Sequence, residues 1–431
     1  MSTRKALIPL LALALVAGCG GGNSPDKSGS PASNGKPVTI TVWHGQNQNA
    51  EKVFNKLVDE FNAGHPKIHV DSQVGAPADA LLQKVTAALA GGKYPDMAYI
   101  FGPNIANLAR SPKALDLTET VRQPGWNWDD FYAPARDAMT VDGKVRGVPS
   151  VIDSLAVVYN KRLFRQAGVP APKPGWTWDD YVATAKRLTN PGKGTFGTGW
   201  PATGDEDTVW RIWPMVWSAG GDVLSGDGTS VGYGNGSMLK ALTTASQLAR
   251  DKSVYLDKTT GSEQMYRVFN TGRMGMVPTG PWELPEIIDS KVDYGVVPMP
   301  TYGGGPVTIS GPDSWMLFDN GAARAAAATE FAKWLSQPAQ DVQWDLEAGS
   351  LPLRQSTAAQ AAWKDHAGQV EGVQVFVDAL KSARVRPVIK SYPKLSEAVG
   401  QAIAGSLLGQ KPPPDAANGA VANGNKALQE Q

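Results

Sequence analysis

VTITVWHGQNQNAEKVFNKLVDEFNAGHPKIHV, residues 38–70, decides the fold. Residues 38–43 form a β-branched run. Residues 50–61 then place Val53, Phe54, Leu57, Val58 and Phe61 at the three-four spacing of one helix face, and residues 68–74 alternate like a strand. The same rhythm continues downstream. Residues 80–89 carry Leu81, Val85 and Leu89 on one helical stripe, and residues 97–101 form another apolar strand. Strands alternating with helices predict an α/β fold with a mostly parallel sheet flanked by helices. Ligands of such sheets bind beyond the carboxyl ends of the strands. That directs attention to Trp43 and His44, then Gly45 and Gln46, after the first strand, and to Phe101 through Asn104 after the third.

A second alternating region begins at residues 151–159. Helices are predicted at 179–188 and 237–251 and strands at 274–277 and 294–299. Late helices are predicted at 322–336, 339–348, 370–380 and 395–408. No period of 20–50 residues repeats. The 431 residues suffice for two ordinary domains. The formal net charge is +1, and Arg4 and Lys5 both lie in the leader described next, so the body is near neutral. A near-neutral body gives no electrostatic footing for nucleic acid. Fourteen Trp against 10 Phe and 11 Tyr is an excess of indole, which suits either a large core or flat, half-polar ligands.

The chain opens with a positive stretch carrying Arg4 and Lys5. The apolar run ALIPLLALALVA, residues 6–17, follows; it is too short to span a bilayer of roughly 30 Å as a helix but suits a signal peptide. It ends in Val16-Ala17-Gly18-Cys19, and Cys19 is the sole cysteine. This resembles the lipobox of bacterial lipoproteins, which implies cleavage after residue 18 and a lipid on Cys19. Residues 19–37 read as the lipidated N-terminus and a flexible polar tether.

Ten stretches carry a wider resemblance. They are ITVWHGQ (40–46), FNAGHPKIHV (61–70), YPDMAYIFGPN (94–104), GVPSVIDSLAVVYNKRLFRQAGV (147–169), WTWDDYVATAKRL (176–188), FNTGRMGMVPTGPWELPEI (269–287), DYGVVPMPTYGGGPVTISGPDSWML (293–317), EFAKWLSQPAQ (330–340), EAGSLPLRQS (347–356) and LLGQKPPPDAANGAV (407–421). Taken in order, the chain resembles the extracytoplasmic solute-binding proteins of ATP-driven (ABC) importers. The match is to the sugar-binding branch, which includes maltose-binding and glycerol-3-phosphate-binding proteins. The resemblance implies a two-lobed periplasmic-binding-protein fold of type II kind, with a hinge of crossing segments near 149–154, 298–301 and 348. The lobes would be 38–150 plus 300–347 and 151–299 plus 348–431. It further implies a monomer without catalytic activity or cofactor, with a carbohydrate ligand and importer permease subunits as partners, held at the outer face of the cell membrane by its lipid.

A sugar presents apolar C–H faces and a rim of hydroxyls, so aromatic plates and charged hydrogen-bonding groups are the residues to seek. Trp43, His44 and Asn104 stand at strand ends. Asp79 lies on a loop that reaches the cleft in the resembling proteins. Asp153 is a carboxylate inside an apolar run and needs a partner. Trp210 and Trp213 share a helical face with Trp217, the last read as core. Trp282, after Gly280-Pro281, matches the turn whose indole stacks on a sugar ring in maltose binders. Gly311 and Asp313 match a loop of backbone and small polar contacts, and Arg354 is open to either a ligand contact or an interlobe ion pair. The chain departs from the family at Gly102, where glycerol-phosphate binders are acidic, and at Ser396, where maltose binders carry a stacking Trp, with Tyr392 nearby.

His65 and His69 are poor metal ligands because Pro66 breaks any shared helix face, and no metal site is expected. The adjacent acids Asp205, Glu206 and Asp207 read as a solvated loop. The alternatives are a secreted glycosidase-like enzyme, which needs two carboxylates flanking one bond, and a binder of glycerol-phosphate-type solutes.

Overall fold

The computed structural model describes residues 37–46, 48–76 and 80–430. The leader 1–18, Cys19, the tether as far as residue 36, and Asp79 lie outside the described residues. The strands, in chain order, begin with β1 (Val38–His44), β2 (Ile68–Val74) and β3 (Met97–Ile100). A small hairpin, β4 (Thr140–Val141) and β5 (Lys144–Val145), precedes β6 (Val148–Val151) and β7 (Ala156–Asn160). Then come β8 (Phe196–Pro201), β9 (Val254–Asp257), β10 (Met274–Thr279) and β11 (Tyr294–Pro298). The last are β12 (Thr308–Ile309), β13 (Asp313–Leu317) and β14 (Ala383–Arg384).

Two five-stranded sheets result, ordered β2-β1-β3-β13-β6 and β11-β7-β10-β8-β9. In the first, β1 runs parallel to β2 and β3, while β13 is antiparallel to both β3 and β6. In the second, β8 is parallel to β9 and β10, while β7 is antiparallel to both β10 and β11. Each sheet therefore has four strands pointing one way and one pointing back. The reversed strands, β13 and β7, are the ones that enter from the other lobe. A strand arriving from the waist must run away from it, whereas the others run toward it. The predicted mostly parallel sheets hold with that one exception each.

The helix predicted from residues 50–61 spans Gln48–Gly64 and buries Val53, Phe54, Leu57, Val58 and Phe61. The helix Trp178–Leu188 starts at a reciprocal capping box, in which the Thr177 side chain accepts from the Asp180 amide and the Asp180 carboxylate accepts from Thr177. Nine of the 14 Trp are buried, so the aromatic excess mainly builds the cores. Strands β8 and β9 have no counterpart in the pattern reading. Gly197 and Gly199 interrupt the apolar run of β8, and both are spacing devices. A Cβ at Gly197 would fall 1.9 Å from the Ala185 carbonyl oxygen, so the helix Trp178–Leu188 rests directly on the strand. At Gly199 a Cβ would meet Met265 and Met274.

The waist is crossed three times, by residues 151–156, by 309–313 and by 344–351. The Leu155 amide donates to the Ile309 carbonyl at 3.2 Å, and the Leu351 amide to the Ile152 carbonyl at 3.2 Å. Ser350 Oγ donates to that same carbonyl at 3.1 Å. Residues 300–309, expected with the first lobe, pack with the second. The Trp178 amide donates to the Thr301 carbonyl, β12 pairs with β14, and Ile309 is buried in the second lobe's core. The third crossing is reached through the helix Pro338–Trp344 and a π-helical turn, Asp345–Gly349.

Gly197→Ala should lower the unfolding free energy by about 2–3 kcal/mol, the upper range for overpacking, because a helix backbone must move. Urea denaturation of the variant beside the parent measures it, and an unchanged midpoint would mean the helix is not seated on β8.

Candidate ligand-binding cleft

A cavity of about 470 Å³ lies where the strands of both sheets end. The wall from the first lobe is built from Gly45 and Gln46 after β1, Val74 at the end of β2, and Tyr99 and Phe101 at the end of β3. Ala50 and Glu51 add the start of the following helix. The facing wall comes from Glu206, Asp207 and Trp210 after β8, Thr260, Gly261 and Glu263 after β9, with Tyr266, and Trp282, Glu283 and Glu286 after β10. The three crossings supply the floor: Val151 and Asp153, then Gly311 and Asp313, then Trp344 and residues 348–350. Arg386 closes one end.

Of the residues singled out from sequence, Asp153, Trp210, Trp282, Gly311 and Asp313 are brought together here. Five others are placed elsewhere. In a strand, side chains stand perpendicular to the sheet and reach its covering layers. His44 is therefore buried edge-on against Phe54, its Nε2 3.1 Å from Ser72 Oγ. Trp43 takes the opposite face, with Nε1 donating to Gln73 and Lys84 over its ring at 4.5 Å. Only Gly45 and Gln46, past the strand's end, reach the cavity. Asn104 belongs to the turn Gly102–Asn104, which packs against the helix Tyr392–Leu407. Trp213 is core, donating to the Tyr392 hydroxyl at 3.2 Å. Arg354 is a buried pin for the backbone. It donates to the carbonyls of Ser336, Asn127 and Trp126 at 2.6, 3.0 and 3.1 Å and stacks on Phe131.

Sequence reasoning missed Arg386, Glu206, Tyr266, Glu283 and Glu286. The acids 205–207 are not a solvated loop. Asp205 caps the helix Glu206–Trp210, Asp207 pairs with buried Arg211 at 2.5 Å, and Glu206 pairs with Arg386 at 2.6 Å. Tyr392 and Ser396 also donate to Glu206. Arg386 lies over the Trp210 ring at 4.4 Å, and a Cβ at Gly311 would fall 2.4 Å from that indole. Trp210 thus supports Arg386 from beneath. Trp282 lies across Gly280, where a Cβ would strike its ring at 1.8 Å.

The floor is electrostatically strained. The Gly311 amide donates to Asp153 Oδ1 at 2.8 Å, which joins two crossings. Asp313 accepts from the Tyr99 hydroxyl at 2.5 Å and from the Gly102 amide at 3.2 Å. Burial and the Asp313 charge push Asp153 up to about 8, only partly offset by the Gly311 amide and Arg386. Burial likewise pushes Asp313 up to about 6. Glu283 is driven well up by burial and by Glu286.

The chain belongs to the bacterial extracellular solute-binding protein family, whose model matches residues 45–342. Three individual proteins show how it is related. It is 27% identical to the cyclic α-maltosyl-1,6-maltose binding protein of Arthrobacter globiformis, with a TM-score of 0.74 over 92% of this chain and 100% of that one. It is 24% identical to the maltooligosaccharide ABC transporter solute-binding lipoprotein of Streptococcus pneumoniae, over 96% of this chain and 94% of that one. It is 22% identical to the sn-glycerol-3-phosphate-binding periplasmic protein of Pectobacterium atrosepticum, over 90% and 91%.

The Asp153 carboxyl gives a signed pH effect. Its pKa in the fold, about 8, is above its ordinary 3.8, so the folded chain keeps a proton that the unfolded chain releases. Stability from this group is full at low pH and is lost as pH rises toward 8. Asp313 acts in the same direction only up to about 6. His44, pushed down to about 4 by burial, acts oppositely and is spent by about 6.5. Between pH 6.5 and 8 the thermal midpoint of Asp153→Asn should therefore fall less than the parent's. Parallel curves in scanning calorimetry would return Asp153 to the ordinary carboxylate range.

Proposed function

We propose that this protein captures a saccharide in the cleft, closes its lobes around it and presents it to an ATP-driven importer, without altering it chemically. The observation that carries the reading is the make-up of the cavity. Trp282, Trp344, Tyr266 and Phe101 offer ring faces for sugar C–H patches, and carboxylates from both lobes offer acceptors for hydroxyls. Aromatic plates contribute about 0.5–1.5 kcal/mol each beyond burial, and hydrogen bonds to charged groups about 1.5–3 kcal/mol. Micromolar capture needs only about −8 kcal/mol, which two plates and a few such bonds supply.

A ligand touching both walls completes its contacts only when the lobes approach, so it favours the closed state. The sugar ligands named for the Arthrobacter and Streptococcus relatives support this reading. A glycerol-phosphate ligand fits poorly. Arg386, the one lining cation among the described residues, is already paired with Glu206, and buried Arg211 behind the wall is held by Asp207. An enzyme also fits poorly, since the family consists of solute-binding proteins. Cys19, following an apolar leader, would carry the lipid that holds the protein at the outer membrane face.

Trp282→Ala should weaken saccharide binding more than tenfold by calorimetry while the fold persists; unchanged affinity would remove Trp282 from the site. Cys19→Ala should shift the protein from the membrane to the soluble fraction of expressing cells, and a variant still sedimenting with membranes would refute lipid anchoring.

A further inference from the structure

We infer that the saccharide carries a protonated amine, seated on the cleft floor against Asp153 with Asp313 behind it. This rests on the sugar-binding reading and narrows its substrate class. Six carboxylates line the cavity without an ion-pair partner among the described residues: Glu51, Asp153, Glu263, Glu283, Glu286 and Asp313. Lys52 acts on Glu286 only at longer range. Arg386, the one lining cation among the described residues, is paired with Glu206 and stacked on Trp210, and its charge only partly offsets the burial of Asp153 and Asp313.

The two floor carboxylates differ in what they still lack. Both oxygens of Asp313 are occupied, one by the Tyr99 hydroxyl and one by the Gly102 amide. Asp153 has only the Gly311 amide, on Oδ1. Its other oxygen is left to face the cavity. In the empty cleft Asp153 avoids the cost of a buried charge by keeping its proton up to about 8; a docked cation supplies the counter-charge under which that proton is released. An ammonium supplies that charge together with three donors. It would bond Asp153 directly and draw on Asp313 through space, where the low-dielectric floor strengthens the attraction. The nearby rings favour the same sign of charge, since an aromatic face attracts cations.

The test uses the purified full chain and matched pairs of sugars. Glucose and glucosamine, galactose and galactosamine, and the trisaccharide of N-acetylglucosamine and its deacetylated form are titrated by calorimetry at pH 6.5. The amine of the bound pair should bind at least tenfold tighter than its neutral partner. Its affinity should fall with added salt while the neutral partner's does not. Asp153→Asn, which keeps an oxygen for the Gly311 amide, should bring the amine-to-neutral ratio toward one. A neutral member binding as tightly as its amine overturns this inference and leaves the sugar-binding reading standing. A panel in which no member binds overturns both.

Discussion

Everything in this molecule depends on the hydrogen bonds that tie three crossing strands of chain together at Ile152 and Asp153. The Ile152 carbonyl accepts from the third crossing, and the Asp153 carboxylate accepts from the second. The lobes have separate sheets and separate cores, so this waist fixes where they face each other. The cleft floor is made from the same few residues. A group that lines the floor here also belongs to the joint between the lobes. The Asp153 carboxylate holds both places at once.

The cavity's charge follows from economy of partners. Two arginines at the cavity wall are committed: Arg211 to Asp207 and Tyr266, Arg386 to Glu206. Arg211 sits buried with its donors satisfied, which is the condition under which a buried ion pair is tolerated, while Arg386 keeps a buried Nε without a partner. Among the described residues, what remains facing the space is acidic, and Asp153 there keeps its proton up to about 8. Trp210 takes part in this arrangement as a base for Arg386 more than as an open plate.

The first lobe is legible in sequence because its helices and strands obey clear periods; Val53, Phe54, Leu57, Val58 and Phe61 all land in core. β8 is not, because Gly197 and Gly199 blank the apolar pattern exactly where a helix and two methionines need room. Asp153 is legible because a carboxylate inside an apolar run needs an explanation, and Trp282 because it follows Gly280-Pro281. Trp43 and His44 mislead because a strand's last residues still point sideways, into the layers that cover the sheet. Arg354, open in sequence to a ligand contact or an ion pair, pairs with Asp130 at 3.6 Å away from the cavity, and nothing local announces that three carbonyls from distant segments also await it. Arg386 lies in an irregular stretch with no period at all, and its partner Glu206 is disguised among neighbouring acids.

The reversed strand of the first sheet has a consequence for how the chain reaches this state. β13 sits between β3 and β6 but is translated after every strand of the second sheet. Until it arrives, β3 keeps an open edge and the first core lacks Trp315, Met316 and Leu317. Such long-range closure is slow, since distant ends must meet before any contact rewards them. The amino-terminal half therefore cannot lock on its own while the rest is being made. A nascent chain that stays loose until its late segment emerges is one that can still be threaded through a narrow pore.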